Sequence, residues 1–234
     1  MLNFAVKGVY LIMDEGNREV FVDCVERHKD VLERIRKSAH ELHDSVNQKY
    51  GNLPYGFHLD KVAGFVYKYG HLVCVDEADV APLFFGAFYH DSIEDARLTY
   101  NDTVKAAGQF MTDNQTFMAA EIVYALTNDK GRTRAERAGE RYYQGIRTTP
   151  YAPFVKLADR MANISYSFSH ADGYNDRMKD VYAKELPHFL DAVNAHSDDI
   201  RLSLPQEMVE ELKTICLSSS SSCSVGITSR QSSL

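Results

Sequence analysis

Four ionisable side chains, His90, Asp91, Glu94 and Asp95, follow directly on an apolar run made of Leu83, Phe84, Phe85, Ala87 and Phe88. The run has helical spacing, so His90 and Asp91 are expected at the end of a buried helix. On a continuing helix, Glu94 falls one turn after His90 and Asp91, and Asp95 one turn after Asp91. Charged groups drawn into a core without partners are costly, so a bound cation is the economical explanation of the cluster.

The rest of the chain reads as helices. From Glu19 to about Tyr50 the apolar positions Val20, Cys24, Val31, Ile35, Ala39, Leu42 and Val46 form one stripe. They define a long amphipathic helix, or two broken near Lys29. Gly51-Asn52-Leu53-Pro54 ends it. Further helices are expected from about Phe57 to Tyr69 and from about Glu77 to His90. Thr99-x-x-Asp102 has the form of a capping box for a shorter helix closed by Gly108. Helices from Asn114 to Leu126, Arg132 to Gln144, Tyr151 to His170, Tyr174 to Ala195 and Pro205 to Cys216 follow. Thr127 to Gly131 has the composition of a turn. The expected fold class is therefore all-α. Residues 1–18 are expected to form an N-terminal arm, 19–217 a helical domain, and 218–234 a Ser-rich disordered tail.

Composition narrows the function. A chain of 234 residues, 44% hydrophobic and 25% charged, suits one sizeable domain. A net charge of −7 argues against a general nucleic-acid surface, although a few local cations could still hold a small anion. No apolar run approaches the roughly 20 residues of a membrane span. The opening MLNFAVKGVYLIMDEG carries Lys7 and lacks a basic start, so a signal peptide is not expected. Cys24, Cys74, Cys216 and Cys223 show no metal-binding spacing, and reduced thiols in a cytoplasmic location are expected. Oligomeric state is left open.

Three other segments carry polar groups suited to chemistry. His58 opens a helix, and Asp159 and Asn163 share a face one turn apart within Lys156-Leu157-Ala158-Asp159-Arg160-Met161-Ala162-Asn163. His58, His90, Asp91 and Asp159 together make a nitrogen and oxygen donor set suited to Mn, Fe, Zn or Co rather than Ca or Mg. Glu94 and Asp95, just outside it, could take and return protons. The third segment holds Lys130, Arg132, Arg134, Arg137 and Arg141 against Glu136 and Glu140. It is either a solvated helix face or a phosphate-facing patch. Tyr142 and Tyr143 could stack on a base or pack in the core. His40-Glu41-Leu42-His43-Asp44 fails the zinc-protease spacing and is expected on a solvated face. His28, His71, His170, His188 and His196 read as surface or structural.

The ordered set His58, His90-Asp91, Asp159 resembles the H…HD…D signature of the HD superfamily of metal-dependent phosphohydrolases. PYGFHLDKVA, HDSIEDA, ALTNDK and KLADRMANI look like the hydrolase domain of RelA/SpoT-type proteins, above all its stand-alone small alarmone hydrolases, over about residues 45–170. The resemblance implies an HD-domain helical bundle with one Mn²⁺ that removes the 3′-pyrophosphate from (p)ppGpp, an alarmone of the stringent response. It implies His58, His90, Asp91 and Asp159 as metal ligands, Glu94 and Asp95 as the catalytic acidic pair, and Asn163 as a substrate contact. Lys156, with Lys130, Arg134 and Arg141, would position phosphates of this small nucleotide. The family usually has a basic residue, often arginine, before the PY word to hold the base. Here that stretch is Asn47-Gln48-Lys49-Tyr50-Gly51, with only Lys49 as a substitute, and the family's HDxxEDT ends in Ala96. An HD phosphohydrolase acting on NADPH, a deoxynucleotide or another signalling nucleotide, or a non-catalytic sensing module, are the alternatives.

Overall fold

The apolar stripes become helices in the computed structural model, which describes residues 15–169 and 176–218. The first stripe is two helices, α1 (Glu15–Arg27) and α2 (Lys29–Ser45), broken at His28. A two-stranded hairpin follows, β1 (Lys49–Tyr50) with β2 (Leu53–Pro54). Its turn depends on Gly51, whose φ of 61° is cheap only for a residue without Cβ. The sequence predicts a helix stop here but not the strand pairing, which two residues per strand are too few to signal.

Next come α3 (Gly56–Tyr69), α4 (Val80–Tyr89), α5 (Tyr100–Ala107) and α6 (Asp113–Leu126). All ten residues of α4 are buried, which explains its unbroken apolar run. The Thr99–Asp102 capping box forms as expected, and a second one, Thr112 with Gln115, starts α6. The expected helix from Arg132 to Gln144 is two, α7 (Arg134–Arg137) and α8 (Glu140–Thr148). Gly139 separates them in extended backbone. Thr133 Oγ1 accepts from the Glu136 amide and Glu136 accepts from the Arg132 amide, so Thr133-x-x-Glu136 caps its own short turn.

Then α9 (Ala152–Ser169), α10 (Asp176–Val193) and α11 (Gln206–Ser218) complete the order. Residues 1–14, His170 and the tail beyond Ser218 lie outside the described residues. Helix α1 begins at Glu15, within the stretch 1–18 expected as an N-terminal arm, the rest of which lies outside the described residues. Among the described residues no helix is long and apolar enough to cross a membrane.

Helix α9 is the axis of the bundle. It packs against α3, α4, α6, α8, α10 and α11, and its Phe154, Val155, Leu157, Ala158 and Met161 are fully buried. Its start is pinned by Tyr151, a buried residue at φ 68° whose amide donates to the Arg201 carbonyl at 2.6 Å and whose hydroxyl donates to Asp79. A non-glycine residue holds that conformation only where its surroundings over-determine it. The pinning fixes the axial position of everything on α9, Asp159 included.

Helices α4 and α6 cross closely at Gly86, where an added Cβ would come within 2.5 Å of Ile122 Cγ2. Gly86→Ala is expected to force α4 away from α6 and lower stability by about 1–3 kcal/mol, read as a shifted denaturant midpoint. An unchanged midpoint would mean that the crossing can relax.

Candidate metal centre

Three helices deliver the polar groups to one point. His58 lies in the first turn of α3, His90 caps the C-terminus of α4, and Asp159 sits midway along α9. All three are buried, and their ligand atoms lie within 4.8 Å of one another. The two Nε2 atoms are 3.2 Å apart. Asp159 Oδ1 is 3.3 Å from His58 Nε2 and 3.8 Å from His90 Nε2. Donors bound at about 2.0–2.2 Å to one ion stand about 3.0–3.5 Å from each other, so the spacing fits a shared cation. Two imidazoles and a carboxylate suit a transition metal, without choosing among them.

Asp91 stands beside this group. Its Oδ2 is 2.9 Å from His90 Nε2 and 3.8 Å from His58 Nε2, and it accepts a hydrogen bond from the Tyr55 hydroxyl. Helix α4 ends at Tyr89 with His90 as its C-cap, where the apolar run predicts its end, so Glu94 and Asp95 do not follow on a continuing helix. The chain continues in turns that keep two helical bonds, Asp95 N to Asp91 O at 2.8 Å and Ala96 N to Ser92 O at 3.1 Å.

The supports differ around the group. His90 Nδ1 donates to the Ala87 carbonyl at 2.9 Å, which fixes the tautomer and leaves Nε2 to face the cluster. Lys156 Nζ donates to Asp159 Oδ2 at 2.9 Å, and Asn163 Nδ2 donates to Asp159 Oδ1 at 2.6 Å. Burial opposes the ionised form of Asp159, but Lys156, His58 and His90 together outweigh it and hold the carboxyl well below the usual range. For Lys156 burial is likewise opposed, and Asp159 with Tyr142 and Asp91 holds its amine well above its usual range. Burial also opposes a charged His90, yet Asp91 and Asp159 pull the imidazole up to about 9.

That last shift sets a pH dependence. A metal needs the unprotonated imidazole, so below about pH 9 binding must expel a proton from His90. Divalent-metal affinity is expected to strengthen about tenfold per pH unit between pH 7 and 8 and to level off near 9. Metal titration at fixed ionic strength checks it. A flat profile would mean that His90 is already neutral over this range or is not a ligand.

A cavity of about 560 Å³ opens onto the group, with His58, Asp91 and Asp159 in its wall. Lys156, Arg137, Asn128 and Asn163 line it too, as do Tyr142, Tyr143 and the Arg160–Glu185 pair. Tyr142 and Tyr143 are at once cavity wall and core. Of the cations expected at phosphates, Lys156 lies in the wall, whereas Lys130 and Arg141 are exposed and do not line it; nor does the exposed Lys49, expected at the base. The side chain of Arg134 lies outside the described residues. Arg137 takes the lining position instead. The break at Gly139, not foreseen in the periodicity, is what sets it on a different face from Arg141.

Glu94 is exposed and accepts two hydrogen bonds from Asn128, from its amide at 2.7 Å and from Nδ2 at 3.0 Å. Asp95 is half-buried; burial first, then the charge of Asp91, push its carboxyl up to about 6. Asn163, expected to touch substrate, spends both amide hydrogen bonds on Asp159 and accepts one from Tyr50. His43, expected on a solvated face, is fully buried and stacked on Tyr55 at 4.9 Å. It falls one turn after Ala39 on the buried stripe of α2, a spacing that could have revealed it. Neither protein-family models nor curated proteins give a match to this chain.

Proposed function

We propose that the chain is a metal-dependent phosphohydrolase of the HD type, acting on a small phosphorylated nucleotide. The observation that carries this is the buried His58–His90–Asp159 group opening into a cavity whose wall also holds Lys156 and Arg137. The resemblance of HDSIEDA and KLADRMANI to the RelA/SpoT hydrolase words makes (p)ppGpp the first substrate, cleaved at the 3′ position to GDP or GTP and pyrophosphate.

His58, His90 and Asp159, with Asp91 as the fourth ligand, would hold the ion; manganese is the first candidate. A divalent ion there supplies Lewis acidity toward a phosphoryl oxygen and lowers the pKa of a water. The protein's own contribution is electrostatic and positional. Lys156 and Arg137 neutralise phosphate charge at the cavity wall, and the first of these, 15% exposed, does so with little screening by solvent. Glu94, clamped to the cavity-lining Asn128, takes or returns a proton. Asp95, titrating near 6, is the second carboxyl suited to that work.

Glu94→Gln is expected to keep the metal and cut turnover by about 10²–10⁴-fold, measured as kcat with metal content in parallel. Release of the metal would instead make Glu94 a ligand.

One observation favours a second reading within the same chemistry. Lys49, the only basic residue near the expected base clamp, is exposed and away from the cavity. A nucleotide other than a guanosine alarmone, NADPH or a deoxynucleotide among them, is then the substrate. Incubation of Mn²⁺-loaded protein with ppGpp and a nucleotide panel decides. GDP and pyrophosphate from ppGpp support the first reading. Turnover of another nucleotide alone moves the substrate to the second, and silence across the panel removes the enzyme.

A further inference from the structure

The two histidines of the centre are held differently. His90 has a carbonyl on its far nitrogen, whereas His58 Nδ1 is buried with no hydrogen-bond partner among the described residues. Histidine ligands ordinarily owe their ring orientation to an acceptor on that nitrogen. Something else must hold the His58 ring, and the closest ring contact is Tyr50. The two rings stack with centroids 4.7 Å apart and planes 23° from parallel.

The same tyrosine reaches the third member of the group. Its hydroxyl donates to Asn163 Oδ1 at 3.0 Å. An asparagine amide presents an acceptor at one end and donors at the other, and an ionised carboxylate only accepts. With Tyr50 holding Oδ1, Nδ2 is turned toward Asp159, where it donates to Oδ1 at 2.6 Å and to the backbone carbonyl at 3.1 Å. The reverse orientation would set the amide oxygen against the carboxylate. Lys156 holds the other oxygen, so the rotation of the Asp159 carboxylate is fixed from both sides. Tyr50 is itself braced by Tyr166 of α9, 4.5 Å away, and by the hairpin turn at Gly51.

We infer that Tyr50 is a positioning residue of the centre, orienting His58 through its ring and Asp159 through Asn163. The inference rests on the metal reading above and concerns the ion alone, before any substrate. It also gives the hairpin a purpose: the stretch that lacks the expected base-holding arginine supplies a brace for the ligands.

The test is Mn²⁺ affinity of the full chain, by calorimetry, in wild type, Tyr50→Phe, Tyr50→Leu, Asn163→Ala and the Tyr50→Phe/Asn163→Ala pair, beside the melting temperature of each without metal. Tyr50→Phe keeps the stack and loses the hydroxyl, and it is expected to weaken Mn²⁺ binding about tenfold, with Tyr50→Leu weaker still. The double variant is expected to bind no more weakly than Asn163→Ala alone, because the hydroxyl acts through that amide. Unchanged affinity in Tyr50→Leu, or additive losses in the double variant, overturns the inference. So does a loss of affinity that merely tracks a lower metal-free melting temperature. Failure of wild type to bind Mn²⁺, Co²⁺ or Zn²⁺ would remove the metal reading itself, a result distinct from binding that ignores Tyr50.

Discussion

His90→Ala is expected to weaken divalent-metal binding by more than about 100-fold and to abolish turnover with it. Replacing an outer partner of a metal ligand costs about 10–100-fold, and His90 is itself a member of the group. Its Nε2 lies 3.2 Å from His58 Nε2 and 3.8 Å from Asp159 Oδ1, so its removal leaves one nitrogen and one oxygen in the triad. The readout is metal content after dialysis, with the metal-free melting temperature as the control for folding. Full stoichiometric metal in the variant would remove the site. Asp91→Ala in the same assay tests the fourth position, where the expected outcome is again loss of metal.

Lys156→Met should have the largest effect on stability. Lys156 and Asp159 are side chains 15% and 11% exposed, paired at 2.9 Å on one face of α9. Removing the cation leaves a buried carboxylate supported only by Asn163 and the nearby imidazoles. Breaking such a pair from one side costs about 3–5 kcal/mol, since the remaining charge keeps its desolvation penalty without its partner. Denaturant unfolding without metal measures it. Saturating metal is expected to restore part of the loss, because an ion neutralises the same carboxylate. Adding Asp159→Asn to Lys156→Met should also recover stability, as no charge is then left unpaired. A loss under about 1 kcal/mol would mean that water reaches Asp159 freely.

Much of this was legible in the sequence, for definable reasons. Helix existence followed from periodicity in α2, α3, α6 and α9, where a buried stripe runs the whole element. The convergence of His58, His90 and Asp159 was expected from the cluster at His90 together with the resemblance of the ordered set to the H…HD…D signature. What failed was local. Gly139 breaks a charged segment whose i,i+4 pattern reads as one helix, and that break brings Arg137 rather than Arg141 to the cavity. His43 was assigned by the charge of its neighbours Glu41 and Asp44, although its position relative to Ile35 and Ala39 puts it on the buried face. The role of Tyr50 could not be read at all, since a ring stacking across from a two-residue strand leaves no periodic trace.

The distance along the chain between the donors has a consequence in polymer terms. His58 and His90 are 32 residues apart, and Asp159 lies on a helix much further on. Closing loops of that length in a disordered chain costs configurational entropy. Here the closure is already accomplished by the packing of α3, α4 and α9, so an arriving ion meets its donors gathered, while the unfolded chain offers them only one at a time. An ion bound there would link its occupancy to the folded state by mass action. An ion present at 100 times its dissociation constant adds about 2.7 kcal/mol to the folded side, and a chelator withdraws it.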